Sequence, residues 1–291
     1  MIVRRSKGSL LCLFLVCLLL PLGAFAETSP DGQFLILLTN DDGYSAPGLR
    51  ALGEALAPLG QVVVAAPVDN QSGAGHGTTS RQFVSVRPIE IAAGVSGYAI
   101  AARPATCVRL VLESLLPRKP DLVVSGINRG TNLGIVTFYS GTVGAAREAA
   151  LVGIPAIAVS MQGDAAEDYA ATAAFVRRLV EQLRAQGRIR PGLFLNINAP
   201  AGERRGVRVT RQSITPTPEI FTRYTNPRDE LYFWSDYRNL AEDEEGTDVW
   251  AVVHGYIAIT PLQIDQTRAA DLDWLKQMPL EAAPAPAHST R

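Results

Sequence analysis

The chain is poor in cysteine. It has three in 291 residues, and Cys12 and Cys17 both fall within the first 26. Only Cys107 remains beyond them, so no internal disulfide can staple the fold and a hydrophobic core must stabilise it unaided. Cys107 lies in an apolar helical pattern and is expected to be a small buried hydrophobe. Charge of one sign is missing too. Lys and Arg number 27 against 28 Asp and Glu, and the lack of a basic surplus argues against nucleic acid as a partner. No segment repeats at a fixed period. The apolar run Leu10–Leu22 is shorter than the ~20 residues that a spanning helix needs.

What is present suits a folded globular protein. The chain is 47% hydrophobic and 19% charged, enough for a sizeable core in one large domain or two small ones. Residues 1–26 stand apart. Arg4, Arg5 and Lys7 precede the apolar run, and Ala24-Phe25-Ala26 follows it as a small-x-small site. This pattern predicts a secretory signal peptide cleaved after Ala26, a periplasmic protein, and no membrane attachment after cleavage. Val16 is too bulky to make Cys17 a lipoprotein site.

From Phe34 the pattern alternates strand and helix. Leu35–Leu38 is a short apolar run that stops on Thr39-Asn40-Asp41-Asp42-Gly43. A buried strand ending on two adjacent carboxylates is costly unless a cation sits there. Ligands in open α/β folds bind at that strand end. Asp41 and Asp42 are therefore candidates to hold a divalent metal beside a bound anion; the plainer reading is a turn. Leu49, Leu52, Leu56 and Leu59 recur at helical spacing, and Gln61–Pro67 reads as a second buried strand. This βαβ unit implies parallel strands. The loop Asp69–Gly77 follows at the same sheet edge. There Ser72 is an acceptable ligand for a hard cation, the alternative being a flexible surface loop, and His76 is expected to be a loop residue.

Short strands are expected over Phe83–Val86 and Tyr98–Ala101, then a helix from Pro104 to Pro117. Asp121–Asn128 reads as a third buried strand with a polar end, followed by Asn132 in a glycine-rich loop. Ser140-Gly141-Thr142 opens a small-residue helix. Its free N–H groups and hydroxyls suit phosphate, and Ser140 or Thr142 also serves as an N-cap. Gly153–Ser160 and Leu193–Pro200 read as further strands around an amphipathic helix over residues 166–186. After Pro200 the pattern becomes β-rich, with Val207–Val209, Leu231–Trp234, Asp248–Val253 and Tyr256–Thr260 as strands. Phe221, Tyr224, Tyr232, Phe233, Trp234, Tyr237, Trp250 and Tyr256 make this region aromatic, suited to a substrate platform or, preferably, an oligomer interface. His254, alone among apolar residues, is expected to be structural. Asp271–Met278 is a short terminal helix and residues 281–291 a disordered tail.

Together these motifs resemble the SurE family of survival-protein nucleotidases. The resemblance rests on Leu38–Gly43, Ala46-Pro47-Gly48, Gln71-Ser72-Gly73, Val124–Asn128 with Gly130, Asn132 and Gly134, Tyr139–Glu148, Asn196-Ile197-Asn198 and Gly255–Leu262. It covers about residues 34–265. It implies a Rossmann-like α/β three-layer core with a mainly parallel sheet (about 34–200) and a C-terminal antiparallel β extension (about 201–265). With the terminal helix these make one phosphatase domain over 27–280. The family's members are divalent-metal phosphomonoesterases of nucleoside 5′- and 3′-monophosphates, some of which also trim short polyphosphate. The matching metal positions are Asp41, Asp42, Ser72 and Asn128, one ion per subunit. Oxygen-only ligands suit Mg²⁺ or Mn²⁺. Asn132, Ser140, Gly141 and Thr142 match the phosphate contacts, with Asn40 a neighbour. Asp42 is the nearest candidate base. Dimers or tetramers through the β extension are implied as well. The rival reading is an exported binding protein that captures a phosphorylated ligand without hydrolysis. Two departures stand out: Thr106 replaces the family's common Asp, and a leader precedes a domain that many members keep in the cytoplasm.

Overall fold

The computed structural model describes residues 32–280 apart from 218, 238 and 239. The expected signal peptide and tail lie outside the described residues. The unit that carries the fold begins at Phe34.

The elements run β1 (Leu35–Thr39), α1 (Pro47–Leu56), β2 (Gln61–Pro67), β3 (Val86–Ala92), β4 (Val95–Ile100), α2 (Pro104–Leu110, continued by a π-helical turn to Leu115) and β5 (Leu122–Arg129). A 3₁₀ turn, Gly134–Phe138, leads into α3 (Gly141–Leu151), β6 (Ala156–Met161), α4 (Ala166–Ala185), β7 (Phe194–Ala199) and β8 (Gly206–Val209). Then come β9 (Glu219–Thr225), β10 (Leu231–Tyr237), α5 (Asp248–Val253), β11 (Tyr256–Pro261) and α6 (Ala269–Gln277).

Among the described residues nine strands form one sheet, in the order β3-β4-β2-β1-β5-β6-β7-β11-β8. From β4 to β7 the strands are parallel. They are parallel because a helix or longer crossover returns the chain to the same end each time. Alternation sorts the core into two layers. Ile36 and Leu38 pack with Leu49, Leu52 and Leu56 of α1 and with Val176 and Val180 of α4. Leu37 packs on the other face with Val108 of α2 and Val143 and Ala146 of α3. Each fully buried leucine contributes roughly 2 kcal/mol. Cys107 is fully buried there, and burial pushes its thiol up to about 12, which leaves it inert.

The chain leaves β1 towards β2 on one side and returns to β5 on the other. The C-terminal ends of β1 and β5 therefore border the point where strand order reverses, the place where an open α/β sheet forms a crevice.

Beyond β7 the direction changes. β11 runs antiparallel to β7, β8 runs parallel to β11, and β9 with β10 make a separate antiparallel ribbon.

Three sequence-based elements are corrected. The strands near residue 90 are Val86–Ala92 and Val95–Ile100 rather than Phe83–Val86 and Tyr98–Ala101, and Phe83 is fully exposed. Pro88 does not break β3 because β3 is the sheet edge, where a missing N–H removes no ladder bond. Asp248–Val253 is a helix, not a strand. Thr247 caps it, accepting the Trp250 N–H at 3.1 Å. In so short an apolar run, Val249 and Val252 fit a helical face as well as a strand pattern.

Candidate active site

The site is built at the C-terminal edge of β1, β2 and β5. Asp41 follows β1 and is 3% exposed. The Thr142 hydroxyl donates to its Oδ1, and the N–H groups of Gly141 and Thr142 turn towards the same carboxylate. Gly141 lies so close that a Cβ there would sit 2.7 Å from Asp41 Cβ. The first turn of α3 is thus fitted around Asp41. Asp42 Oδ2 accepts the Arg129 N–H at 3.0 Å, and Oδ1 accepts from the Asn70 amide at 3.4 Å.

A cleft of about 280 Å³ opens here, and Asp41, Ser72, Asn128, Asn132, Tyr139 and Ser140 are among its walls. Asn128 Nδ2 donates to Gly130 O at 2.8 Å, which leaves its amide oxygen as the available ligand atom. Ser140 caps α3 by accepting the Val143 N–H at 3.1 Å, so its hydroxyl hydrogen stays free to donate. Asn132 is locked on three sides. Its N–H donates to Asn198 Oδ1 at 2.7 Å, its Nδ2 to Ser160 Oγ at 2.7 Å, and its carbonyl accepts from Asn196 Nδ2 at 2.8 Å.

The other sequence candidates sit just behind this wall. Asn40 is fully buried, donates to Gly43 O at 2.9 Å and so closes the turn that presents Asp41. Thr142 is fully buried with its hydroxyl committed to Asp41. Gly141 lies against Asp41. Thr106, where the family commonly has an acid, accepts the Thr79 N–H at 2.8 Å through Oγ1, so the hydroxyl still ties the loop before β3 to the start of α2.

Electrostatics point the same way. Burial pushes the Asp41 carboxyl above its ordinary 3.8, against the opposing bonds from Thr142 and Gly141. Burial, with the neighbouring Asp41 charge added, pushes Asp42 up to about 6 despite the Arg129 N–H. The Arg129 side chain pairs with Asp164 at 3.0 Å rather than with either carboxylate. Two adjacent carboxylates, one buried and one half-buried, whose nearby Arg129 side chain is bonded to Asp164 instead, fit a bound cation. Among the described residues no group of three or more His, Cys, Asp or Glu could hold a metal. A cation here would therefore draw on neutral oxygens as well, from Ser72 and Asn128. Such an all-oxygen donor set fits a hard ion.

The profile described as Survival protein SurE matches residues 36–218. The chain belongs to the SurE family. The 5′-nucleotidase SurE of Syntrophotalea carbinolica is 42% identical over 246 residues, covering 84% of this chain and 96% of that protein. That of Syntrophobacter fumaroxidans is 40% identical over 244 residues, covering 82% and 97%. The crystal structure of the SurE protein from Aquifex aeolicus matches with a TM-score of 0.70 at 37% identity, covering 83% of this chain and 99% of that one. This SurE fold therefore extends over nearly the whole of that solved chain.

Sequence reasoning missed the residues that hold the site together. Asn196 and Asn198 stood out as a family motif and as polar residues inside an apolar strand, but with no role at the site. That anomaly was the signal, since two residues apart on one strand means one shared face. Glu148, the lone acid in a small-residue helix, carried a similar signal. It is 2% exposed and is bonded by both His76 and Arg109. His254 stacks on Trp250 with ring centroids 4.4 Å apart.

Proposed function

We propose that this protein is a divalent-metal-dependent phosphomonoesterase that hydrolyses nucleoside 5′- and 3′-monophosphates to nucleoside and phosphate. The reaction class follows from the family, whose relatives at about 40% identity are named 5′-nucleotidases. The observation that carries the metal is the buried Asp41 carboxylate in a cleft shared with Ser72 and Asn128, with the half-buried Asp42 next to it in the chain. Those four residues are the proposed ligands of one ion per subunit, Mg²⁺ or Mn²⁺. Such an ion supplies a Lewis acid and an activated water. The remaining work falls to the chain. Ser140 and Asn132, on the cleft wall, orient the phosphoryl group, with the α3 start at Gly141 and Thr142 and the Asn40 turn behind them. Thr142 fixes Asp41 by its hydroxyl, so the carboxylate needs no reorganisation as charge develops. Asp42 is the proposed acceptor of a proton from the attacking water. Short polyphosphate, whose terminal phosphoryl group is held by an anhydride bond in place of an ester bond, is a second proposed substrate.

We place the protein in the periplasm on the strength of its basic start, apolar run and Ala24-Phe25-Ala26. Its proposed partner is a second copy of itself, as a dimer or tetramer joined through the C-terminal β extension.

The test is phosphate release from 5′-AMP and 3′-AMP by protein stripped with EDTA and then given Mg²⁺ or Mn²⁺. Metal-restored release is expected. Asp41→Asn should lower it at least about a hundredfold, the low end for losing one preorganised charged group. Binding of AMP with no release under any metal would instead establish the rival reading, an exported binding protein.

A further inference from the structure

Ser72 is the exposed member of the proposed ligand set, and it sits in a loop with glycine at 73, 75 and 77. Nothing lies within 4 Å of where a Cβ on Gly73 would be, so the residue after Ser72 is open on that side. A loop of this composition is conformationally free unless its neighbours fix it. Backbone bonds pin it on either side of Ser72. The Gln71 N–H donates to Asp41 O at 2.7 Å, and the Gly75 N–H donates to Tyr139 O at 2.9 Å.

Beyond Gly75 the loop follows one face of α3. Ser140, Gly144 and Glu148 recur every fourth residue and share that face. Gly144 is where the backbones meet: a Cβ there would lie 2.2 Å from Gly75 O and 3.2 Å from His76 Cα. One turn further on, His76 Nε2 donates to Glu148 Oε2 at 2.7 Å, and Arg109 of α2 holds the other oxygen. Burial alone would raise the Glu148 pKa, but the bonds from His76 and Arg109 outweigh it and keep the carboxyl below its ordinary 4.5. The carboxylate is thus ionised, and Nε2 must carry the hydrogen.

A buried carboxylate with its hydrogen-bond donors is a poor way to gain stability, because a well-packed apolar group of equal volume often does as well. What this one achieves is directional. It ties the loop that carries Ser72 to the helix whose first turn is fitted around Asp41. We infer that His76 is a positioning residue: through Glu148, itself held by Arg109, it sets where Ser72 stands relative to Asp41. The inference rests on the proposed reading of Ser72 and Asp41 as ligands.

The experiment is direct Mn²⁺ binding to the purified protein without substrate, read by the electron paramagnetic resonance of free Mn²⁺. Thermal midpoints are recorded beside it. His76→Ala should weaken binding about tenfold, the low end for losing an outer-shell partner. His76→Gln, whose amide can still donate to Glu148, should recover most of it. In a Ser72→Ala background, His76→Ala should add no further loss, since a residue that acts through another is non-additive with it. Unchanged Mn²⁺ binding in His76→Ala, with or without a lower midpoint, would overturn the inference. So would equal losses in the Ala and Gln variants, or full additivity with Ser72→Ala. Asp41→Asn separates the two ideas. If it binds Mn²⁺ as the parent does, the metal reading itself has failed; if it does not, a failure at His76 belongs to this inference alone.

Discussion

Gly141 has no side chain because Asp41 occupies the space. The ideal Cβ would lie 2.7 Å from Asp41 Cβ and 2.8 Å from Oδ2, and the helix backbone cannot yield without losing the cap at Ser140. Gly141→Ala should therefore displace the Asp41 carboxylate. Phosphate release should fall about a hundredfold, the scale of a misplacement near 1 Å, and a crystal structure of the variant should show Asp41 turned away from Thr142. Unaltered kinetics would mean that the carboxylate tolerates the shift. Asp42 supports a prediction about pH. Its folded pKa, pushed up to about 6 from 3.8, lies above the unfolded value. The stability linked to it is fully present below 3.8 and lost as pH rises through about 6. A cation at the site offsets that loss only where the carboxylate is ionised. Added Mn²⁺ should then raise the thermal midpoint more at about pH 7.5 than at about pH 5; an equal rise at both would count against Asp42 as a ligand.

Among the described residues the β9–β10 ribbon pairs only with itself and is not joined to the nine-stranded sheet. Phe221, Tyr224, Leu231, Tyr232, Phe233 and Trp234 are 50–67% exposed, and Tyr224 pairs directly with Tyr232 across it. A lone two-stranded hairpin is marginal in water, and so large an apolar surface marks an interaction site. We therefore expect the ribbon to be covered by another subunit. Replacing residues 219–237 with a short Gly/Ser link should reduce the mass measured by light scattering while the core keeps its thermal midpoint. An unchanged mass would place the interface elsewhere. At this scale the sequence was informative where environment is uniform. β2 and β7 are buried runs and were legible as such. α5 was not, because six residues are too few to separate a period of 2 from one of 3.6.

At the scale of the whole molecule, the fold begins at Phe34 and the family profile at residue 36, both beyond residues 1–26. The proposal of export therefore rests on residues 1–26 alone, outside the matched family domain. If residues 1–26 are a signal peptide, N-terminal sequencing of the protein recovered from the periplasm should begin at Glu27. A cytoplasmic protein that starts at Met1 would refute this.

The sequence by itself determined the parallel core and marked the candidate residues at its edge. Buried apolar runs that stop on Asp41-Asp42 and Asn128 announce themselves because burial and turn formation are local, and periodicity records both. It also marked Ser140 as the start of a helix. Only the tertiary structure decided how these pieces meet. It brought Thr142 to Asp41 across 101 residues and His76 to Glu148 across 72, and it closed Asn132 within Ser160, Asn196 and Asn198. No spacing encodes those contacts. They arise because the sheet gathers the ends of β1, β2, β5, β6 and β7 along one edge, and buried polar groups delivered there must satisfy one another.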